Sequence, residues 1–183
     1  MTCEKRYVIT GGPCSGKSTL VDAIKERGFL TVDETAREFL KENPGIRGRD
    51  LVMGVFRRQI EEESALERYP NEVFLDRGLV DVAAYSRFWL GEVPREIQEA
   101  GLSCRYQKVF ALDRLPFVSD GIRVEKNDAE AERIHRLIIQ TYKEHGYEPL
   151  GVPVMSLRER ADFVINNAMK GVESEWLRLL EKS

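Results

Sequence analysis

The 183-residue sequence predicts an α/β protein, a three-layer doubly wound parallel sheet, on three observations. Short apolar runs alternate with stretches of helical period along the chain, as strands do when helices carry the crossovers between them. The first apolar run passes into a helix through a glycine-rich loop. Later runs end in an acid, at Asp76 and Asp113, and in a parallel sheet those strand ends share one edge. At this length the expectation is one domain over residues 1–183, large enough to bury a core without disulfides or a structural metal.

The opening element is the most informative. Tyr7-Val8-Ile9-Thr10 reads as a short buried strand, and GGPCSGKST follows it. Gly11, Gly16, Lys17 and Ser18 fill the fixed positions of the phosphate-loop pattern G-x-x-x-x-G-K-[ST]. Phosphates carry several charges on tetrahedral oxygens, so binding them needs many donors converging on a small volume. Glycines allow that convergence, turning successive N–H groups inward as an anion nest. Leu20, Val21 and Ile24 recur at helical spacing after the loop, and the N-terminus of that helix adds partial positive charge. Gly11, Gly12, Pro13, Cys14, Ser15, Gly16, Lys17, Ser18 and Thr19 are therefore the candidate cradle for ATP or GTP. Ser18 is the first candidate ligand for Mg²⁺.

The remaining elements follow in order. Phe29 to Val32 is a second strand, and Asp33-Glu34 stands at its end, before a helix carrying Ala36, Phe39 and Leu40. Either acid could approach a substrate there, or Asp33 could cap the helix while Glu34 is solvated. Asn43 to Gly48 reads as a loop, and Leu51, Val55, Ile60 and Leu66 then mark a long helix whose Glu61, Glu62 and Glu63 are expected on a solvated face. Val73-Phe74-Leu75 is a third strand ending in Asp76-Arg77, the form of a Walker B element. Asp76 can orient hydrated Mg²⁺ or accept a proton, and Arg77 can clamp a phosphate; capping of the next helix is the alternative for Asp76. Val80 to Leu90 is a helix whose Tyr85, Phe88 and Trp89 are expected mainly in the core, with stacking on a planar base the alternative, and Pro94 to Leu102 another. Gln107 to Leu112 is a fourth strand, with Asp113 a rival to Asp76.

Residues 113–127 have no clear period and read as a lid whose Arg123 could neutralise a transferring phosphoryl group. Asn127 or Asp128 caps the next helix, and Gly146 stops it. His135 and His145 have no metal-ligand spacing and are expected at the surface. Val152 to Met155 is a final strand; Ser156-Leu157-Arg158-Glu159 opens a helix as a capping box, and Gly171 to Leu180 completes a terminal helix.

Together ITGGPCSGKSTL, DETARE, FLDRGLVDVAAY, DGIR and VPVMSLRERADFVI span nearly the whole chain. The sequence so marked resembles the P-loop kinase-like ATPases of the small AAA-type domain family that includes nicotinamide-riboside-kinase-like proteins. The resemblance implies a P-loop nucleoside triphosphate hydrolase fold of the nucleoside and nucleotide kinase kind, ATP or GTP with Mg²⁺, and phosphoryl transfer to a small acceptor. Asp76-Arg77 resembles the acid-arginine pair of deoxynucleoside and thymidylate kinases. In nucleoside kinases an acid after the second strand activates the hydroxyl, which corresponds here to Asp33 or Glu34; the contiguous pair departs from the family's single acid. No hexameric motor apparatus is evident.

Composition narrows the setting. A formal net charge of −3 gives no global basic field, so general nucleic-acid binding is not expected. Cys3, Cys14 and Cys104 form no C-x-x-C pair and suit a reducing compartment. No apolar segment precedes the first strand, no membrane span is expected, and the expected setting is cytoplasmic. The leading function is a small-molecule kinase acting on a nucleoside, nucleotide or related ribosyl compound. The alternatives are a nucleotide-dependent switch that binds a protein or an anionic lipid, and a phosphohydrolase whose acceptor is water.

Overall fold

The computed structural model describes residues 5–103, 106–116 and 127–180. Among the described residues five strands form one sheet: β1 (Arg6–Thr10), β2 (Leu30–Val32), β3 (Val73–Asp76), β4 (Lys108–Leu112) and β5 (Leu150–Val152). Their order is β2-β3-β1-β4-β5, and every neighbouring pair is parallel. Seven α-helices of the described residues accompany the sheet: α1 (Lys17–Lys25), α2 (Thr35–Glu42), α3 (Gly48–Ala65), α4 (Leu79–Leu90), α5 (Arg95–Ser103), α6 (Asp128–Glu144) and α7 (Leu157–Leu180), which follows the last strand.

β1 is central and covered on both faces, which is why its residues read as an unbroken buried run rather than an alternating one. On one face Val8, Leu75 and Val109 join residues of α3, α4, α5 and α6 in the larger core. On the other, Ile9, Phe74 and Phe110 pack with Leu20, Val21 and Ile24 of α1 and with Ala161, Val164 and Ala168 of α7. From β1 the chain crosses to β2 and returns through β3 on one side, then crosses to β4 and β5 on the other, so the winding reverses beside β1 and a crevice opens at its C-terminal end. The register pairs Ile9 with Asp76, bringing the Asp76 acid beside the strand that feeds the glycine-rich loop.

Several boundaries differ from those the sequence predicts. β2 starts at Leu30 rather than Phe29, whose ring meets Phe74 edge-on at 5.4 Å between centroids. β5 stops at Val152, before Pro153, which has no N–H to give the ladder. α7 runs through Gly171, so the predicted terminal helix is a continuation of it. The caps are as read. Asn127 Oδ1 accepts from the Glu130 N–H at 3.0 Å, and Ser156 and Glu159 close a reciprocal capping box. The lid predicted over 113–127 falls largely outside the described residues, and Arg123 lies wholly outside them.

Candidate functional site

The glycine-rich loop lies between β1 and α1. Gly11 has φ +138°, and a Cβ there would stand 2.8 Å from the Leu112 carbonyl oxygen, so both torsion and space require glycine. Gly16 has φ +78° where the chain enters α1. Within the loop, Lys17 Nζ donates to the Gly12 carbonyl at 2.9 Å and to Ser15 Oγ at 3.2 Å, and Ser15 Oγ donates to the same carbonyl at 2.9 Å. Burial, and then the neighbouring Arg77 charge, lower the Lys17 ammonium to about 8.

Three distant segments clamp this loop. The Gly12 N–H donates to Nδ1 of His135 on α6 at 3.0 Å, Arg160 of α7 donates to the Ser15 carbonyl at 2.7 Å, and the Leu115 N–H donates to the Cys14 carbonyl at 2.7 Å. His135 was expected at the surface. It is instead drawn over the loop by α6, whose close approach is possible because residue 12 has no side chain: a Cβ there would lie 2.6 Å from His135 Cβ.

On the acidic side, Ser18 Oγ donates to Asp76 Oδ2 at 2.9 Å. Asp76 Oδ1 is buried without a hydrogen-bond partner among the described residues. Burial, reinforced by Glu34 and opposed by Lys17 and Arg77, raises the Asp76 carboxyl to about 6. An orphaned carboxylate oxygen beside a hydroxyl is a pair of hard oxygen ligands of the kind Mg²⁺ uses together with phosphates and water. Among the described residues no cluster of three or more His, Cys, Asp or Glu could hold a metal by itself. The rival Asp113 is exposed, whereas Asp76 is buried beside β1.

Of the two acids after β2, Asp33 is exposed and Glu34 turns into the crevice, where Arg77 Nε donates to it at 2.8 Å. Burial works to raise the Glu34 carboxyl, but the Arg77 guanidinium and then Lys17 outweigh it and hold that carboxyl below its ordinary range. Arg77 itself takes a left-handed backbone, φ 75°, a conformation costing a non-glycine residue about 1–3 kcal/mol. Four of its five N–H groups are engaged: beyond Glu34 it donates to Asp81 at 3.1 Å, the Gly11 carbonyl at 3.2 Å and Tyr85 Oη at 3.1 Å.

The loop opens into a cavity of about 320 Å³. Its lining takes in Pro13 to Thr19 of the loop, the charged Glu34, Arg37, Arg77 and Asp81, and the apolar Leu40, Leu51, Val52, Val55, Val82 and Trp89, which form an apolar slot. Gln59 reaches the slot from α3, and Tyr85 and Trp89, expected mainly in the core, stand in its wall with their rings 4.9 Å apart.

Some residues around the site were not legible as part of it. Asp81 accepts from Thr10 Oγ1 and from Tyr142 Oη, each at 2.6 Å, and from the Gly78 N–H at 3.0 Å. Its signal is an acid inside the otherwise apolar LVDVAAY stretch. Glu63, predicted on a solvated face, is buried, because the helical period turns it from Glu61 and Glu62 toward the core beside Tyr106. His145, also expected at the surface, is buried with its Nδ1 2.7 Å from the Thr141 carbonyl oxygen. Arg160 left no signal beyond its place in the capping-box helix.

Sheet order, flanking helices and loop define a P-loop α/β domain of the nucleoside and nucleotide kinase fold. The chain belongs to the AAA domain family, whose model matches residues 6–160. Among solved structures it is similar to the NadR protein in complex with NR, with a TM-score of 0.72 and 17% identity over 92% of this chain and 51% of that one. Thymidylate kinase from Ehrlichia chaffeensis gives 0.61 and 13% identity over 89% of this chain and 97% of that one. Deoxyadenosine kinase from M. mycoides with bound dATP gives 0.59 and 16% over 88% and 98%. The chain spans about half the length of the NadR chains. A search of the curated proteins gave no match. No helix among the described residues is long and apolar enough to cross a membrane.

Proposed function

We propose that this domain is a Mg²⁺-dependent phosphotransferase that moves the γ-phosphoryl group of ATP or GTP to a hydroxyl or phosphate of a nucleoside, nucleotide or related ribosyl compound. One observation carries the reading: the phosphate loop and the apolar slot share a single cavity, with Glu34 and Arg77 in the same lining. A switch or a water-activating hydrolase has no need of an apolar acceptor slot joined to its phosphate site. The kinase neighbours with the same fold support the reading.

In this reading the loop N–H groups and Lys17 hold the phosphates; their negative charge keeps the buried Lys17 protonated. Ser18 and Asp76 would hold Mg²⁺, which when bound neutralises charge on the phosphate oxygens. Glu34, kept ionised by Arg77, accepts the proton of the acceptor hydroxyl, and Arg77 orients Glu34. Arg123 is proposed to close over the transferring group. Most of the acceleration then comes from position and fixed charge.

The test is Mg²⁺-dependent ADP or GDP formation with mass detection of products, across nucleosides, nucleoside monophosphates, ribosyl pyridines and polyols. Strong stimulation by one acceptor class is expected, with loss of at least about a hundredfold in Lys17→Ala, whose lost charge lies on the reacting phosphates. Slow turnover indifferent to every acceptor would transfer the assignment to a switch that binds a protein or an anionic lipid. Rapid phosphate release without acceptor would mark a hydrolase.

A further inference from the structure

Phosphoryl transfer at the cavity makes no use of Glu63, a buried carboxylate. Glu63 is 6% exposed and lies behind the cavity wall, where it accepts from Gln59 Nε2 at 2.8 Å and from Tyr106 Oη at 2.9 and 3.1 Å. Tyr106 Oη also accepts the Leu79 N–H at 2.8 Å, so its one proton goes to Glu63. Tyr106 is held close by the absence of a side chain at residue 78, where a Cβ would stand 2.5 Å from its oxygen. Gln59 is 3% exposed and borders the cavity, and its carbonyl oxygen has no intramolecular partner among the described residues.

An amide side chain can be turned over with little change of shape, exchanging its donor and acceptor ends. A carboxylate at position 63 has no proton to offer, so it accepts only the NH₂ end and fixes the amide one way round. We infer that Glu63, acting through Gln59, sets the order of hydrogen-bond donor and acceptor that the cavity wall offers a planar ring, and so separates rings bearing an amino group from rings bearing a keto group at the equivalent carbon. The inference rests on the cavity being the acceptor pocket. Glu63 is a positioning residue, and Gln59 the group that meets the ring.

The pair is sensitive to pH. Burial raises the Glu63 carboxyl to about 7 against the opposing hydrogen bonds from Gln59 and Tyr106, and the Asp81 charge on α4 adds to the rise. Among the described residues, the groups that face it include Gln59 on its own helix, Tyr106 before β4, Asp81 of α4 and Tyr142 of α6. A protonated Glu63 can donate to the amide oxygen as readily as accept from the NH₂, so the lock is released as pH falls through that value.

The experiment measures dissociation constants calorimetrically for two probe pairs, adenosine with inosine and cytidine with uridine. The full chain is saturated with ADP and Mg²⁺, and pH runs from about 6 to about 8.5, to either side of the raised Glu63 carboxyl. In at least one pair the two constants should differ about tenfold at the upper end, the cost of one mismatched buried hydrogen bond, and converge at the lower end. In Glu63→Gln the ratio should be smaller and flat with pH. Taking the ratio removes titrations, such as that of Asp76, that act on metal and phosphate equally for both probes. Ratios within about twofold in both pairs at high pH, or a wild-type ratio that does not change with pH, overturn the inference while leaving the kinase reading in place. ADP binding with no nucleoside binding removes the acceptor pocket itself, and the inference with it. Should Glu63→Gln fail to fold, the wild-type pH profile still decides.

Discussion

At Asp33-Glu34 two neighbouring acids of nearly equal chemistry have different surroundings. Peptide geometry sends their side chains to opposite sides of an extended strand end, and Arg77 engages Glu34 while Asp33 is exposed. Glu34→Gln is therefore expected to lower turnover by about a hundredfold or more, the usual worth of a positioned base, while Asp33→Asn stays near wild type. Steady-state rates with the best acceptor check this, and equal losses in both variants would remove Glu34 as the base. The preference for Asp76 over Asp113 likewise follows from surroundings. Both end a strand, but only β3 brings its acid next to the Ser18 hydroxyl.

At the scale of elements, the phosphate loop is held by parts of the chain far from it in sequence. α6 contributes His135, α7 contributes Arg160, and the segment after β4 contributes Leu115. Gly12→Ala would press a methyl group against His135 Cβ and the Ala131 carbonyl, 2.6 and 3.1 Å from the new atom. Backbone on both sides has little room to give, so a loss of about 1–3 kcal/mol is expected, together with weaker ADP binding. Gly151→Ala, whose Cβ would meet nothing within 4 Å, is the control. Urea unfolding and ADP titration of both variants measure the difference. The loop pattern was legible because phosphate binding imposes fixed residues at fixed spacing. Its clamps were not, because a histidine or arginine that serves a loop over a hundred positions away has no local period to betray it.

For the whole molecule, the two raised carboxyls set a direction of pH dependence. Asp76 and Glu63 titrate in the folded protein at about 6 and about 7, above the ordinary carboxylate range. Between that range and those values the folded state retains protons that the unfolded chain has released, so the contribution of these two groups to stability is greatest below that range and falls as pH rises through about 7. Glu63→Gln should flatten this slope by about 2–3 kcal/mol between acid and neutral pH. Denaturant midpoints at pH values on either side test it. A slope unchanged in the variant would show that Glu63 is not the group responsible.

The sequence by itself determined the alternating architecture, the phosphate loop, the Asp76 strand end and most helix limits. These depend on local rules: burial period, glycine torsions, capping chemistry and the shared edge of parallel strands. Tertiary structure alone decided which of two adjacent acids meets Arg77, that Glu63 and His145 are buried and His135 half-buried against the loop, and that Gln59 and Trp89 line a slot continuous with the loop. Those outcomes depend on helices meeting across the sheet. Burial and hydrogen-bond partners there come from residues dozens of positions apart, and no short window of sequence contains both members of such a pair.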